Sequence, residues 1–224
     1  MTTIYVAGIA MTVFGRHPER SLEDLAGEAL IRALADAGCT APQIGVAYYS
    51  GMTNGTLQGQ ISIPGQVIFS KIGIEGIPVY NVENACASGS SAFNLAVQSL
   101  KAGTADVALA IGAEKMNIPD KAKAFAIFEG GWDVSRAEAN AAVLLKMGEG
   151  ITPPPGSESD KPYSKFMAIY AAFCRWHMKT YGTTQRQIAA VCAKNHQHSV
   201  HNPWSQFRKP FTIDEVLAAP PITY

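Results

Sequence analysis

The sequence predicts a layered α/β unit followed by a mostly helical region, and three observations carry that reading. Short β-prone apolar runs alternate with helix-patterned segments over the first half, in the order β-α-β-α-β-α-β. The run Val107 to Gly112 is apolar without a break, as in strands covered on both faces. After Met116 the texture changes, and helical patterns follow with no further parallel-strand signal.

Each element has a local reason. Ile4 to Ala10 reads as a first strand. Ser21 to Ala37 reads as an amphipathic helix, with Leu22, Leu25, Ala26, Ala29, Leu30, Ala33 and Leu34 on one face. Ser21 and Asp24 form a capping-box signature and Gly38 a stop. Val46 to Ser50 is a second strand. The segment Gly51-Met52-Thr53-Asn54-Gly55-Thr56 is glycine-rich but lacks the Lys-Ser/Thr of a phosphate loop, and reads as a strand-to-helix turn. Pro64 to Lys71 is a helix with proline in its first turn, ended at Gly73. Ile77 to Val82 is a third strand. A turn around Cys86 and a helix to about Ala102 follow, with Gly103 as stop, and then the Val107 to Gly112 strand. The Pro-, Gly- and Ser-rich stretch Ile151 to Pro162 reads as loop. Helices are expected at Ser164 to Tyr181, Thr184 to about His198 and Thr212 to about Ala218, the last two opened by capping boxes.

Composition narrows the function classes. The chain has 224 residues, 47% hydrophobic and 16% charged, with formal net charge zero. That balance argues against nucleic acid or an anionic membrane as a charge-driven partner. No uncharged apolar run reaches the roughly 18 residues of a membrane span. The start, Met1 to Val6, lacks the basic region of a signal peptide. Cys39, Cys86, Cys174 and Cys192 are scattered with no C-x-x-C pair, which fits reduced thiols and a cytoplasmic location.

The most informative residue is Cys86. It stands between an apolar strand and a helix whose Ala92, Leu95, Ala96 and Leu100 share a face, in a turn of small residues. A helix N-terminus favours an anion, and a thiolate is a usable nucleophile near neutral pH. Ala85, Ala87, Ser88 and Gly89 leave room for a carbonyl to approach the sulfur. From the residues alone, a buried structural cysteine and a nucleophile both remain open.

The block Asn84-Ala85-Cys86-Ala87-Ser88-Gly89-Ser90-Ser91-Ala92, with Gly103 and Ala110-Ile111-Gly112-Ala113-Glu114-Lys115-Met116, closely resembles the thiolase family, in the branch of sterol-carrier-protein thiolases. The block Lys194 to Phe207, with His196, His198, His201 and Asn202, resembles the same branch. The likeness implies a thiolase-like layered α/β half over residues 1–116, with a mostly helical loop domain over 117–224 that covers the site and helps bind coenzyme A. It implies Cys86 as the nucleophile of acyl-coenzyme A transfer. It places His196, His198 and Asn202 near the substrate. Coenzyme A enters as substrate, and no cofactor is expected. A metal on His196, His198 and His201 is disfavoured, because residues two apart on a helix face differently. Phe125, Phe128 and Trp132 read as packing or, less directly, as acyl-pocket walls. Tyr163, Lys165, Lys179 and Arg208 are candidate contacts for coenzyme A phosphates.

The family's C-terminal half normally brings a Gly-His-Pro histidine, an acid/base cysteine or its replacement, and an oxyanion-hole residue. None of these motifs occurs in the 224 residues, whose last segment falls about where that half would begin. The expectation is an acyltransferase completed by a second half, by a further chain, or by a zinc-ribbon/OB-fold partner of the kind found with this branch. A homodimer or tetramer is also expected. Rival readings are a non-catalytic subunit that binds acyl-coenzyme A or a partner protein, and a condensing enzyme or aldolase of the same fold.

Overall fold

The computed structural model describes residues 3–224. Met1 and Thr2, part of the N-terminal segment weighed above, lie outside the described residues. The contacts divide the chain into Met1–Ile127 and Phe128–Tyr224.

In the first unit, α1 (Leu22–Ala37) leads to β1 (Val46–Ser50), α2 (Asn54–Gln58), α3 (Pro64–Lys71), β2 (Val79–Val82), α4 (Ser88–Ala102) and β3 (Ala108–Gly112). The strands form a parallel sheet in the order β2-β1-β3, with Tyr48 beside Tyr80 on one flank and Ala110 on the other. β1 is central and buried along its length, which its unbroken Val-Ala-Tyr-Tyr-Ser sequence tolerates. Alternation sorts its side chains. Ala47 and Tyr49 face a core built from Leu22, Ala26 and Leu30 of α1 and Ile68 and Phe69 of α3. Val46 and Tyr48 face Ala92 and Ala96 of α4. The result is an α/β/α layering of the expected class.

The expected caps form. Ser21 and Asp24 bond reciprocally at the start of α1, and Gly38 and Gly103 take the left-handed conformation that ends α1 and α4. α2 is an addition to the reading from sequence, because its five residues are too few to show a period.

The first strand is a correction. Residues 4–10 form no ladder, because the segment's contacts go to α1 and not to a strand edge. The segment lies instead along α1. The Ile9 N–H donates to the Asp36 carboxylate (2.9 Å). Gly8 sits so close to α1 that a Cβ there would lie 2.4 Å from the Ala33 carbonyl oxygen.

Phe69 is central to this core. It is 0% accessible and meets the Tyr49 ring edge-on, with centroids 6.2 Å apart. Phe69→Ala is expected to cost about 3–5 kcal/mol, the usual range for emptying an aromatic site. Urea unfolding checks it, and a loss below about 1 kcal/mol would show that the layers do not depend on this contact.

α5 (Lys121–Glu129) carries the division between the units. The second unit holds α6 (Ala137–Lys146), α7 (Lys165–Tyr181), α8 (Gln185–Ser199) and α9 (Ile213–Leu217). The capping boxes Thr184/Gln187 and Thr212/Glu215 form as expected, and residues 151–162 carry no helix or strand. Trp132 stacks on Phe166 (5.0 Å), with Phe128 beside it (6.0 Å), so both Phe128 and Trp132 serve packing inside this unit. Among the described residues no helix is long and apolar enough to cross a membrane.

Candidate functional site

All three strands are parallel, so their carboxyl ends lie on one side, the side where open α/β sheets bind ligands. Three segments emerge there: Gly51 to Thr53 after β1, Glu83 to Ala87 after β2, and Ala113 to Met116 after β3. Residues from all three line one groove of about 950 Å³.

Cys86 is exposed and free, in a single 3-10 turn (Ala85–Ala87) joined directly to α4. Three local bonds shape this turn. The Ala85 N–H donates to the Glu83 carboxylate (2.6 Å), and the Asn84 N–H to Ser88 Oγ (2.8 Å). Ser88 Oγ in turn donates to the Ala85 carbonyl (2.7 Å). Ala85 is held at φ 45°, a left-handed conformation that costs a non-glycine residue about 1 kcal/mol or more. Such strain, kept in place by neighbouring bonds, presents the following side chain outward. Gly89, one turn further, has open space where a side chain would stand. The exposure decides between the two readings of Cys86 on one point: this thiol is not a core residue.

The rim opposite is held by Glu114. Its carboxylate accepts from the Met52 N–H (2.6 Å), the Thr53 N–H (3.4 Å) and the Thr53 hydroxyl. Beneath it, the Tyr49 hydroxyl donates to the Ala113 carbonyl (3.0 Å) and accepts from the Asn54 amide. Ser50 Oγ donates to the Ile111 carbonyl (3.3 Å). A Cβ on Gly112 would stand 2.5 Å from Ser50 Oγ, so only glycine lets the two strand ends close here. Sequence reasoning quoted Glu114 within a family-like block and gave Tyr49, Thr53 and Asn54 no site role. The only signal is the polar pair Thr53-Asn54 within the glycine-rich segment that follows the buried strand.

Burial pushes the Tyr49 hydroxyl up to about 12; the Asn54 bond opposes this and the Glu114 charge adds to it. An unfolded tyrosine ionises near 10. The folded state therefore holds this proton more tightly between pH 10 and 12. Its contribution, up to about 2–3 kcal/mol, is present below pH 10 and lost as pH rises towards 12. Alkaline unfolding followed by phenolate absorbance is expected to show one tyrosine ionising only with unfolding. If every tyrosine titrates near pH 10 in the folded state, this network is not closed.

The second unit carries the other expected residues. His196 is half-buried against Phe211 (4.8 Å between rings), and its Nδ1 is buried without a hydrogen-bond partner. His198 and Asn202 are exposed, and Asn202 Oδ1 accepts from the Trp204 N–H (3.0 Å). His196 and His198 thus lie in different environments on α8. The candidate phosphate contacts are engaged within the unit. Lys165 pairs with Glu138 (2.6 Å), which raises its pKa. Tyr163 donates to Glu158 (2.8 Å), Lys179 to the Glu149 carbonyl (2.7 Å) and Arg208 to the Val200 carbonyl (3.2 Å).

The family "Thiolase, N-terminal domain" matches residues 4–216. Sterol carrier protein 2 of Bos taurus is 33% identical over 225 residues, covering 96% of this chain and 36% of that protein. Acetyl-CoA acetyltransferase of Methanothermobacter thermautotrophicus is 31% identical over 218 residues, covering 97% of this chain and 50% of that protein. The chain thus spans about a third to a half of the length of these relatives. Among solved structures, the Ltp2-ChsH2(DUF35) aldolase superposes with a TM-score of 0.62 at 21% identity, over 93% of this chain and 47% of that one. That likeness concerns the fold.

Proposed function

This chain belongs to the thiolase family, and from that premise we propose that it takes part in Claisen-type cleavage or condensation of 3-ketoacyl-coenzyme A, through an acyl thioester on Cys86. The carrying observation is the exposed thiol on a strained turn at the sheet's carboxyl end, lining a groove with Ser88, Gly89 and Glu114.

In the cleavage direction the Cys86 thiolate adds to the C3 carbonyl. The C2–C3 bond then breaks, and its electron pair leaves on C2 as the enolate of the departing acyl-coenzyme A. That carbon takes a proton. The sulfur of free coenzyme A next attacks the thioester, releasing the shortened acyl-coenzyme A and returning the Cys86 thiolate. Ser88, Gly89 and the small residues beside them keep the approach to the sulfur open. In this proposal His196, His198 and Asn202 contact the substrate, and coenzyme A is a substrate throughout. The rest of the acid–base chemistry comes from a C-terminal thiolase half or from a further chain. Self-association into a dimer or tetramer, and a cytoplasmic location, belong to the same proposal.

The test is adduct mapping. Incubation with butyryl-coenzyme A, followed by peptide mass spectrometry, is expected to find the acyl group on Cys86. Acylation of Cys39, Cys174 or Cys192 with Cys86 unmodified would overturn the assignment. Saturable binding with no adduct at all would favour a non-catalytic acyl-coenzyme A-binding subunit.

A further inference from the structure

Ala85 is one of two non-glycine residues with positive φ among the described residues, at 45°. It directly precedes Cys86, so its backbone sets where the thiol stands. Relaxing its φ to the common value of about −60° would swing the following peptide by about 100°. Both backbone polar groups of Ala85 are held against that swing. Its N–H donates to the Glu83 carboxylate (2.6 Å). Its carbonyl accepts from the Ser88 hydroxyl (2.7 Å) and from the Ser88 N–H.

The two holders stand on different supports. Ser88 is buried and begins α4. Its hydroxyl also accepts from the Asn84 N–H (2.8 Å), and the Asn84 amide donates to Ser91 Oγ (2.9 Å) on the same helix. The carbonyl side of Ala85 is thus tied to α4. Glu83 directly follows β2. That strand is tied to α3 through Asn81, which accepts from the Gly65 N–H (2.7 Å) and donates to Gln66 Oε1 (2.7 Å). Glu83 is exposed, and exposed carboxylates are ordinarily no more than solvated surface. This one differs in its partner, the N–H of the strained residue beside the thiol.

Resting on the acyl-transfer reading of Cys86, we infer that Glu83 and Ser88 are positioning residues for the nucleophile, which clamp Ala85 by its N–H and its carbonyl and so fix the thiol in its attacking position. Glu83 serves as a hydrogen-bond acceptor, and the clamp does not use its charge. Glutamine has the same length and keeps an acceptor oxygen, whereas alanine has none. A base or a fixed charge would be lost in both substitutions, so the pair of variants separates the two roles.

The experiment follows single-turnover acylation of Cys86 by butyryl-coenzyme A on the full chain, with a thermal melt of each variant. Misplacing a reacting group by about 1 Å can cost about 10²-fold, so Glu83→Ala is expected to lower the maximal acylation rate about 10- to 100-fold. The half-saturating concentration of butyryl-coenzyme A should stay the same. Glu83→Gln should recover most of the rate. Iodoacetamide needs only an exposed thiolate, so it should alkylate Cys86 equally fast in the two variants, which lose the same charge. Glu83→Ala with Ser88→Ala should lose less than the product of the single losses, because both side chains hold one residue. Hydrogen exchange gives a reading independent of acylation: the Ala85 amide should lose protection in Glu83→Ala and keep it in Glu83→Gln. Equal acylation of wild type and Glu83→Ala would overturn the clamp and keep the acyl-transfer reading. Glu83→Gln as slow as Glu83→Ala would also overturn it, by showing that the charge is what counts. Single losses that multiply in the double variant would overturn the joint action of Glu83 and Ser88. A wild type that takes no acyl group would overturn acyl transfer; lost Ala85 protection in Glu83→Ala would then still sustain the clamp, and unchanged protection would overturn it.

Discussion

Cys86→Ala is expected to lower acyl-transfer turnover by several orders of magnitude in the assembled enzyme while leaving stability almost unchanged. The two halves of that statement have separate causes. Removing a nucleophile deletes the covalent route and leaves only binding and polar stabilisation, and in enzymes that work through a covalent nucleophile the loss can reach about 10⁶-fold. Stability is spared because the side chain is exposed and in no disulfide; exposed substitutions of this kind stay within about 0.5 kcal/mol. Cys86→Ser should fall nearly as far, since a hydroxyl supplies far less anion than a thiol near neutral pH. Turnover on 3-ketoacyl-coenzyme A, measured beside a thermal melt, checks both. Activity above a tenth of wild type, in a sample that melts normally, would remove Cys86 from the chemistry.

A polypeptide of residues 1–224 alone is expected to form the Cys86 adduct slowly and to show no carbon–carbon chemistry. The motivating observation is that the chain carries the nucleophile turn but no Gly-His-Pro or Cys-x-Gly segment. A positioned acid–base contributes about 10²–10⁴-fold. Each oxyanion-hole donor contributes about 10²–10³-fold. Without either, turnover should drop by at least about four orders of magnitude. Phe93 and Leu95 of α4 are 50% and 41% exposed. The isolated polypeptide should therefore bind a hydrophobic dye. Adding a separately expressed C-terminal thiolase half should restore turnover and reduce dye binding together. Ordinary turnover from a preparation shown by mass to contain only residues 1–224 would sink the proposal.

Local signals in the sequence were read correctly where the interaction concerned is itself local. Ser21 with Asp24, Thr184 with Gln187 and Thr212 with Glu215 are three residues apart, so a capping box depends on nothing distant. Gly38 and Gly103 end helices because a left-handed residue is needed there whatever packs nearby. The position of Cys86 between strand and helix belongs to the same group. The five-residue α2 escaped because so short a segment shows no period and, unlike the equally short α9, it opens with no side-chain cap.

Strand pairing is different, because it is a contest among partners. Ile4 to Ala10 has the composition of a strand, yet ladder formation needs an open edge in register. β1 and β3 pair over five residues, and the N-terminal segment takes the face of α1, although the outer edge of β3 carries no strand among the described residues. The carboxylate of Glu114 reaches Met52 and Thr53, more than sixty positions away in the chain, and no spacing rule encodes that contact. By itself, then, the sequence determined the α/β class, the helix termini and the turn that carries the thiol, all of which follow from interactions within a few residues. Tertiary structure alone decided which strands pair, which polar groups tie the strand ends together and how much room lies beside Cys86, because each of these depends on segments brought together only by burial of the common core.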